Sequence, residues 1–390
     1  MRLARNPLLN DRGFTFVELM TTLFLGFIIT SAVYVMYDQS SRAYQTQTQF
    51  TEAHRQLRFS LDHIRADIRR ASFQATPNHL TDPRVCWTPP GSSLRAVSLK
   101  SNDGYVFDPS SNVHINPSSL TLFGDYFAPD GHTFQATQID SGGNVFLDTT
   151  DPVVANLTEP EFTAIFRPGV RWLRVTTRDE KDWYAPVASV DHGNRRITLG
   201  EVPPVTGYCV SSFGAGEISP VGWVRYRLAQ DTRSEALLGD GGAARIVGKT
   251  DLIREEVDST GEAIPSTALV IGENVVDLAF YDFGFDNSSP GQASLITVQP
   301  FIEDVVNGDG SGALGATALT AIPERLRFFT VKLSVRTVYE EYEVDFVPRP
   351  AAHGPFHTFE LDPTMEGSSR VESSASRVDL RNISMRRLNG

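Results

Sequence analysis

Cysteine is scarce in this chain, with two in 390 residues. That excludes a disulfide-dense scaffold and a four-cysteine zinc site. The eight histidines show no HExxH and no paired zinc spacing. No GxSxG elbow and no Cys–His signature is present either. We therefore expect no enzyme and no resident cofactor. Basic charge is also short. Lys plus Arg number 35 against 47 Asp plus Glu, a net charge of -12, which argues against sequence-independent binding to nucleic acid. Proline is absent between Pro7 and Pro77, and Gly26 is the only glycine between Gly13 and Gly91. Nothing in that stretch breaks a helix.

What is present is a chain able to fold. Hydrophobic residues make up 41% and charged residues 21%, which supports a buried core and excludes intrinsic disorder. The length allows two or three units. Residues 1–13 carry Arg2, Arg5 and Arg12 against Asp11. Residues 14–37 are apolar with Glu18 as their only charge, and Leu19 to Tyr37 carry none. About 20 apolar residues span a bilayer as a helix. No basic residue follows Arg12 until Arg42, so the amino terminus is expected in the cytoplasm and the remainder across the membrane.

The helical pattern continues. Phe50, Ala53, Leu57, Leu61, Ile64, Ile68 and Ala71 recur at spacings of three and four, one face of an α-helix. Arg55, Arg58, Asp62, Arg65, Arg69 and Arg70 occupy the opposite face. Read as one helix, residues 14–75 extend about 90 Å. We expect the second half to pack on its own domain. Its basic stripe is a docking partner for acidic domain surface, within one subunit or between two.

After Pro77 the pattern changes to turn clusters such as Ser141-Gly142-Gly143-Asn144 and Asn287-Ser288-Ser289-Pro290-Gly291. Short β-branched or alternating runs lie between them, clearest at Val221–Leu228, Asn274–Phe283 and Arg325–Val338. Residues 77–347 read as a β-rich domain without a long helix. Residues 348–390 form a polar stretch ending in an expected strand at Ser376–Met385. Gly310, Gly312 and Gly315 spell GxGxxG but follow no βαβ pattern. Asn307, Asp309, Ser311 and Gly312 resemble the start of a calcium loop, yet Ala318 stands where an EF-hand needs Glu. A plain turn or a looser calcium loop remains.

Residues 12–19 read RGFTFVEL. Glu18 lies inside the apolar span, where a carboxylate costs about 2.5–3.5 kcal/mol, and so is a functional candidate. Cleavage after Gly13 exposes an amine at Phe14, which a Glu18 carboxylate of an adjacent subunit can pair with. This segment resembles the class III signal of type IV pilins and type II secretion pseudopilins. The resemblance implies cutting between Gly13 and Phe14 by a prepilin peptidase, N-methylation of Phe14, and an assembly role for Glu18. Val35 stands at the mature position where major pilins often carry a helix-breaking proline.

Residues 57–75, LRFSLDHIRADIRRASFQA, are similar to the helix end of PilW-like minor pilins, with Ala66 at that family's Arg. Val224-Arg225-Tyr226-Arg227-Leu228, Glu273 to Leu278, Lys332 to Thr337 and Leu380-Arg381-Asn382 match its later landmarks. Residues 90–215 match none. The resemblance implies an α+β pilin fold, a long amino-terminal helix packed on a large antiparallel β-rich domain. It implies a minor pilin that primes pilus assembly at or near the tip. Its partners are then other minor pilins, the major pilin, a PilY-type tip adhesin, the inner-membrane assembly machinery and the inner membrane. The domain is periplasmic and later at the pilus tip on the cell surface. Some relatives bind calcium. A type II secretion pseudopilin and a ligand- or DNA-binding pilin are the alternatives. In the oxidising compartment this topology gives, Cys86 and Cys209 either form one bond or stay as two buried thiols.

Overall fold

The computed structural model describes residues 15–100, 112, 115, 117–204, 209, 213–230, 250–286, 296–301, 323–338, 344–349, 354–360 and 367–385. The chain divides into two compact units, residues 1–52 and 53–390. A single helix, α1 (Phe16–Arg70), contributes to both. In the first unit it carries the apolar run. In the second it is the only long helix among the described residues.

The second unit is built from two sheets. The first contains β1 (Val85–Trp87), β2 (Val97–Lys100), β3 (Ser119–Gly124), β4 (Phe134–Ile139), β5 (Asn144–Leu147), β6 (Trp172–Thr176), β7 (Asp182–Asp191), β8 (Arg196–Leu199), β9 (Gly216–Gln230), β10 (Thr250–Val257) and β11 (Leu269–Gly272). Its main path runs β1-β7-β8-β5-β4-β9-β10-β11. The 15-residue β9 is its spine. The first half of β9 pairs with β4 and β6, and the second half with β3 and β10. Every pairing is antiparallel except β1 with β7. The second sheet has the order β13-β12-β14-β16-β15. These strands are β12 (Val275–Asp286), β13 (Ile296–Phe301), β14 (Leu326–Arg336), β15 (Thr358–Phe359) and β16 (Ser369–Asp379).

One apolar cluster joins both sheets to the helix. Ala53, Leu57, Leu61, Ile64, Ile68 and Ala71 of α1 pack with Leu122, Val224 and Leu228 of the first sheet and with Phe280, Phe329 and Leu333 of the second. Burying Leu57, Leu61, Ile64 and Ile68 contributes roughly 1.5–3 kcal/mol each. A second cluster lies under two short helices, α2 (Pro152–Asn156) and α3 (Glu159–Ile165). Asp151 caps α2 by accepting from the Val153 amide, and Thr158 with Glu161 forms a capping box on α3.

Two of the differences from the sequence reading have a visible cause. The helix ends at Arg70, short of residue 75, because Ser72 and Gln74 take left-handed backbone angles, φ 62° and 52°. The Ser72 amide donates to the Phe123 carbonyl of β3 instead of continuing the helix. The final strand is also displaced. β16 spans Ser369–Asp379, and the residues expected to extend it form a short helix, α4 (Arg381–Met385). β16 is rich in serine and lacks apolar alternation, so its ladders to β14 and β15 define it.

Candidate functional site: the amino-terminal helix and its anchorage

Helix α1 begins with a capping box. The Glu18 carboxylate accepts from the backbone amide and the hydroxyl of Thr15, both at 3.0 Å, and the Glu18 amide donates to the Thr15 hydroxyl at 3.3 Å. Thr15 was missed in the sequence reading, although Thr-x-x-Glu before an apolar run is the signal for this motif. The box gives Glu18 a local partner and satisfies donors at the helix start. Gly13 and Phe14, the cleavage and methylation residues expected there, lie outside the described residues. So do Asn307, Asp309, Gly310, Ser311, Gly312 and Gly315.

From Phe16 to Tyr37 the large apolar side chains are all exposed in the isolated chain, Phe16 at 73% and Tyr37 at 71%. This is one helix long and apolar enough to cross a membrane. Its threonine hydroxyls are satisfied within the helix. Thr21, Thr22 and Thr30 each donate to a backbone carbonyl three or four residues earlier, the arrangement hydrocarbon requires.

The other end of α1 is bolted to the sheets by polar contacts. Asp67 is buried. One of its carboxylate oxygens accepts from the Tyr226 hydroxyl and from Arg254 Nε, each at 2.7 Å. Tyr126 donates to the Asp67 carbonyl at 3.0 Å, and Arg70 donates to the Asp125 carbonyl at 2.9 Å. Burial, and next the Asp67 charge, push the Tyr226 and Tyr126 hydroxyls above the usual phenol range, so both stay donors. For Arg254, burial opposes the charge, but Asp67 outweighs it and raises the pKa. A carboxylate in the last turn of a helix opposes the helix dipole. Asp67 is held there by its two donors.

Asn382 of α4 donates to the Arg69 carbonyl at 2.7 Å, satisfying one of the orphan carbonyls at the helix end. Leu380 and Ile383 enter the core shared with α1. The Leu380-Arg381-Asn382 element thus acts as a remote cap for the helix. At Gly272 a side chain would collide with Ser60, whose hydroxyl donates to the Ile271 carbonyl at 3.2 Å. Glycine lets β11 approach the helix backbone closely.

Cys86, on β1, and Cys209 are joined by a disulfide, with Cα atoms 5.6 Å apart. Among the described residues, no group of three or more His, Cys, Asp or Glu side chains is arranged to hold a metal ion. The strongly perturbed groups belong to structural pairs. Arg171, stacked on Phe127 and paired with Glu256 at 3.0 Å, is lowered to about 10 by burial. The Asp125 carboxyl is raised by burial while one of its oxygens caps the Phe127 and Ala128 amides.

No known protein family, curated protein or solved structure matches this chain.

Proposed function

We propose that this protein is a minor subunit of a type IV pilus, with a pilin-type fold, that helps start assembly and sits at or near the filament tip. It carries out no substrate turnover. One observation carries the reading. A single 55-residue helix has a first half of exposed apolar surface and a second half built into the core of a β-rich domain. Such a chain holds its domain outside a membrane while offering the apolar half to other helices. In a bilayer those helices associate through packing and interhelical hydrogen bonds. Glu18 then acts in register. It leaves its capping role to pair with the Phe14 amine of a neighbouring subunit.

The mature chain is therefore expected to begin at Phe14, with a methylated amine. Mass analysis of the membrane protein checks this, and an intact Met1 would end the pilin reading. Glu18→Val keeps the protein in the membrane, because it removes an insertion cost. It lowers incorporation into filaments roughly 10- to 100-fold, the equivalent of one charge-assisted hydrogen bond of about 1.5–3 kcal/mol. Wild-type incorporation of that variant would remove the pairing role.

The tip placement follows from size. Residues 76–390 number 315, and a compact domain of that length has a radius of gyration near ~20 Å, against ~13 Å for a head of about 100 residues. A shaft that stacks small heads has no room for it, whereas the end does. Antibody labelling of intact filaments should mark one end in few copies. Regular labelling along the shaft would make this a major subunit.

A further inference from the structure

The turn that follows β3 holds a carboxyl in a setting that suits its neutral form. Asp125 is fully buried. Its Oδ1 accepts from the Phe127 and Ala128 amides, each at 3.0 Å. Among the described residues no donor reaches its Oδ2, which is sealed from solvent. The charged and phenolic groups packed around the turn have other partners. Arg70, on α1, donates to the Asp125 backbone carbonyl at 2.9 Å. Arg171 lies over the Phe127 ring and pairs with Glu256 of β10 at 3.0 Å. Arg167 pairs with the same Glu256 at 3.7 Å. Tyr126 donates to the Asp67 backbone carbonyl, and the Asp67 carboxylate pairs with Arg254. Burial raises the Asp125 carboxyl, and the two amides, Arg70 and Arg171 offset that only in part.

The same turn clasps the end of α1. The Asp125 amide donates to the Phe73 carbonyl at 2.9 Å, and the Ser72 amide donates to the Phe123 carbonyl at 2.8 Å. A side chain at Gly124 would stand 2.9 Å from the Arg70 carbonyl, so the two backbones are in direct contact. An ionised Asp125 keeps one bare oxygen in a dry interior, which costs more than burying the neutral acid. Opening the turn lets water reach that oxygen, and it also breaks the bonds that fix residues 72 and 73. Protonation removes the charge while Oδ1 goes on accepting from both amides. We propose that the Asp125 turn is a pH-sensitive latch on the carboxy-terminal end of α1, held most firmly when the carboxyl carries its proton. The folded carboxyl binds a proton more tightly than an unfolded one. The latch is therefore at full strength below the ordinary aspartate value of about 3.9, and it weakens as pH rises through the raised folded value. An ion-paired carboxylate has the opposite sign. The latch lies wholly within the second unit and holds whether or not the assembly is a pilus.

The test is amide hydrogen exchange on the full chain in detergent from about pH 4 to about pH 8, each rate divided by its intrinsic rate at that pH. Asp125→Asn copies the neutral carboxyl and keeps an oxygen for the Phe127 and Ala128 amides. At about pH 8 its protection at Ser72, Phe127 and Ala128 should exceed wild type at least about fivefold, the low end for an unsatisfied buried group. The excess should vanish towards about pH 4, where the wild-type carboxyl is itself protonated. Val331 and Leu333, in the middle strand β14, serve as reference amides that the substitution leaves unchanged. Asp125→Ala removes the acceptor as well, so it should lower protection at both ends of the series. The wild-type series needs no substitution. Its protection at the three latch amides, relative to β14, should fall as pH rises, and a flat or rising course would overturn the latch. Equal protection in wild type and Asp125→Asn at the alkaline end would overturn it too. So would an excess that is the same at every pH, or one shared equally by β14.

Discussion

Asp67→Ala is expected to destabilise the full chain by about 3–5 kcal/mol, the range for removing one partner of a buried ion pair. The reason lies in what is left behind. Tyr226 and Arg254 both donate to one Asp67 oxygen at 2.7 Å, and the Arg254 side chain is only 18% exposed. Without the carboxylate, a half-buried guanidinium and a buried hydroxyl lose their acceptor at once. Asp67→Asn retains an acceptor but not the charge, so its loss should be smaller, and Tyr226→Phe should cost about 0.5–1.5 kcal/mol. The three variants separate the charge from the hydrogen bonds. Denaturant unfolding in detergent reads the order, and limited proteolysis near residues 71–80 should show the helix end released first. Equal midpoints for Asp67→Ala and wild type would mean that α1 is held by apolar packing alone.

Removing the disulfide should have an effect of similar size. Cys86 and Cys209 are 123 residues apart in sequence, and chain-entropy estimates for closing a loop of that length give about 4–5 kcal/mol. Cys86 lies on β1, which among the described residues joins its sheet only through a parallel pairing with β7. β1 is thus short of hydrogen-bonded neighbours and depends on the covalent tie. Cys86→Ser with Cys209→Ser should lower the unfolding midpoint and expose residues 77–95 to protease before the rest of the domain. Non-reducing mass mapping of wild-type protein from its native compartment should show one linked peptide pair. Free thiols at both positions would sink this prediction.

Part of this architecture could be read from local pattern. The buried face of α1 was legible because Ala53, Leu57, Leu61, Ile64, Ile68 and Ala71 follow helical periodicity, and these residues are buried. β9, β12 and β14 were legible from β-branched and alternating runs, although each boundary differs by one to five residues. Helix α3 was overlooked despite a readable signal, the Thr158–Glu161 box, because seven residues are too few for a periodic pattern. β16 carried no usable signal. Its serines pair with β14 through backbone bonds, to which side-chain identity is nearly indifferent.

The sequence by itself determined the two kinds of surface on α1, an uncharged run and then an apolar stripe backed by arginines. Those properties are set by the order of neighbouring residues and need no other part of the chain. The tertiary structure decided everything that depends on residues far apart in sequence. It brought Asp67 together with Arg254, 187 positions away, and Arg69 together with Asn382, 313 positions away. It also left Arg58 and Arg69 exposed while burying Asp67 on the same helix. Charge composition states how many carboxylates a chain has. Only the path of the backbone states which of them an arginine can reach, since beyond about 8–10 Å salt screens most of the attraction between exposed charges.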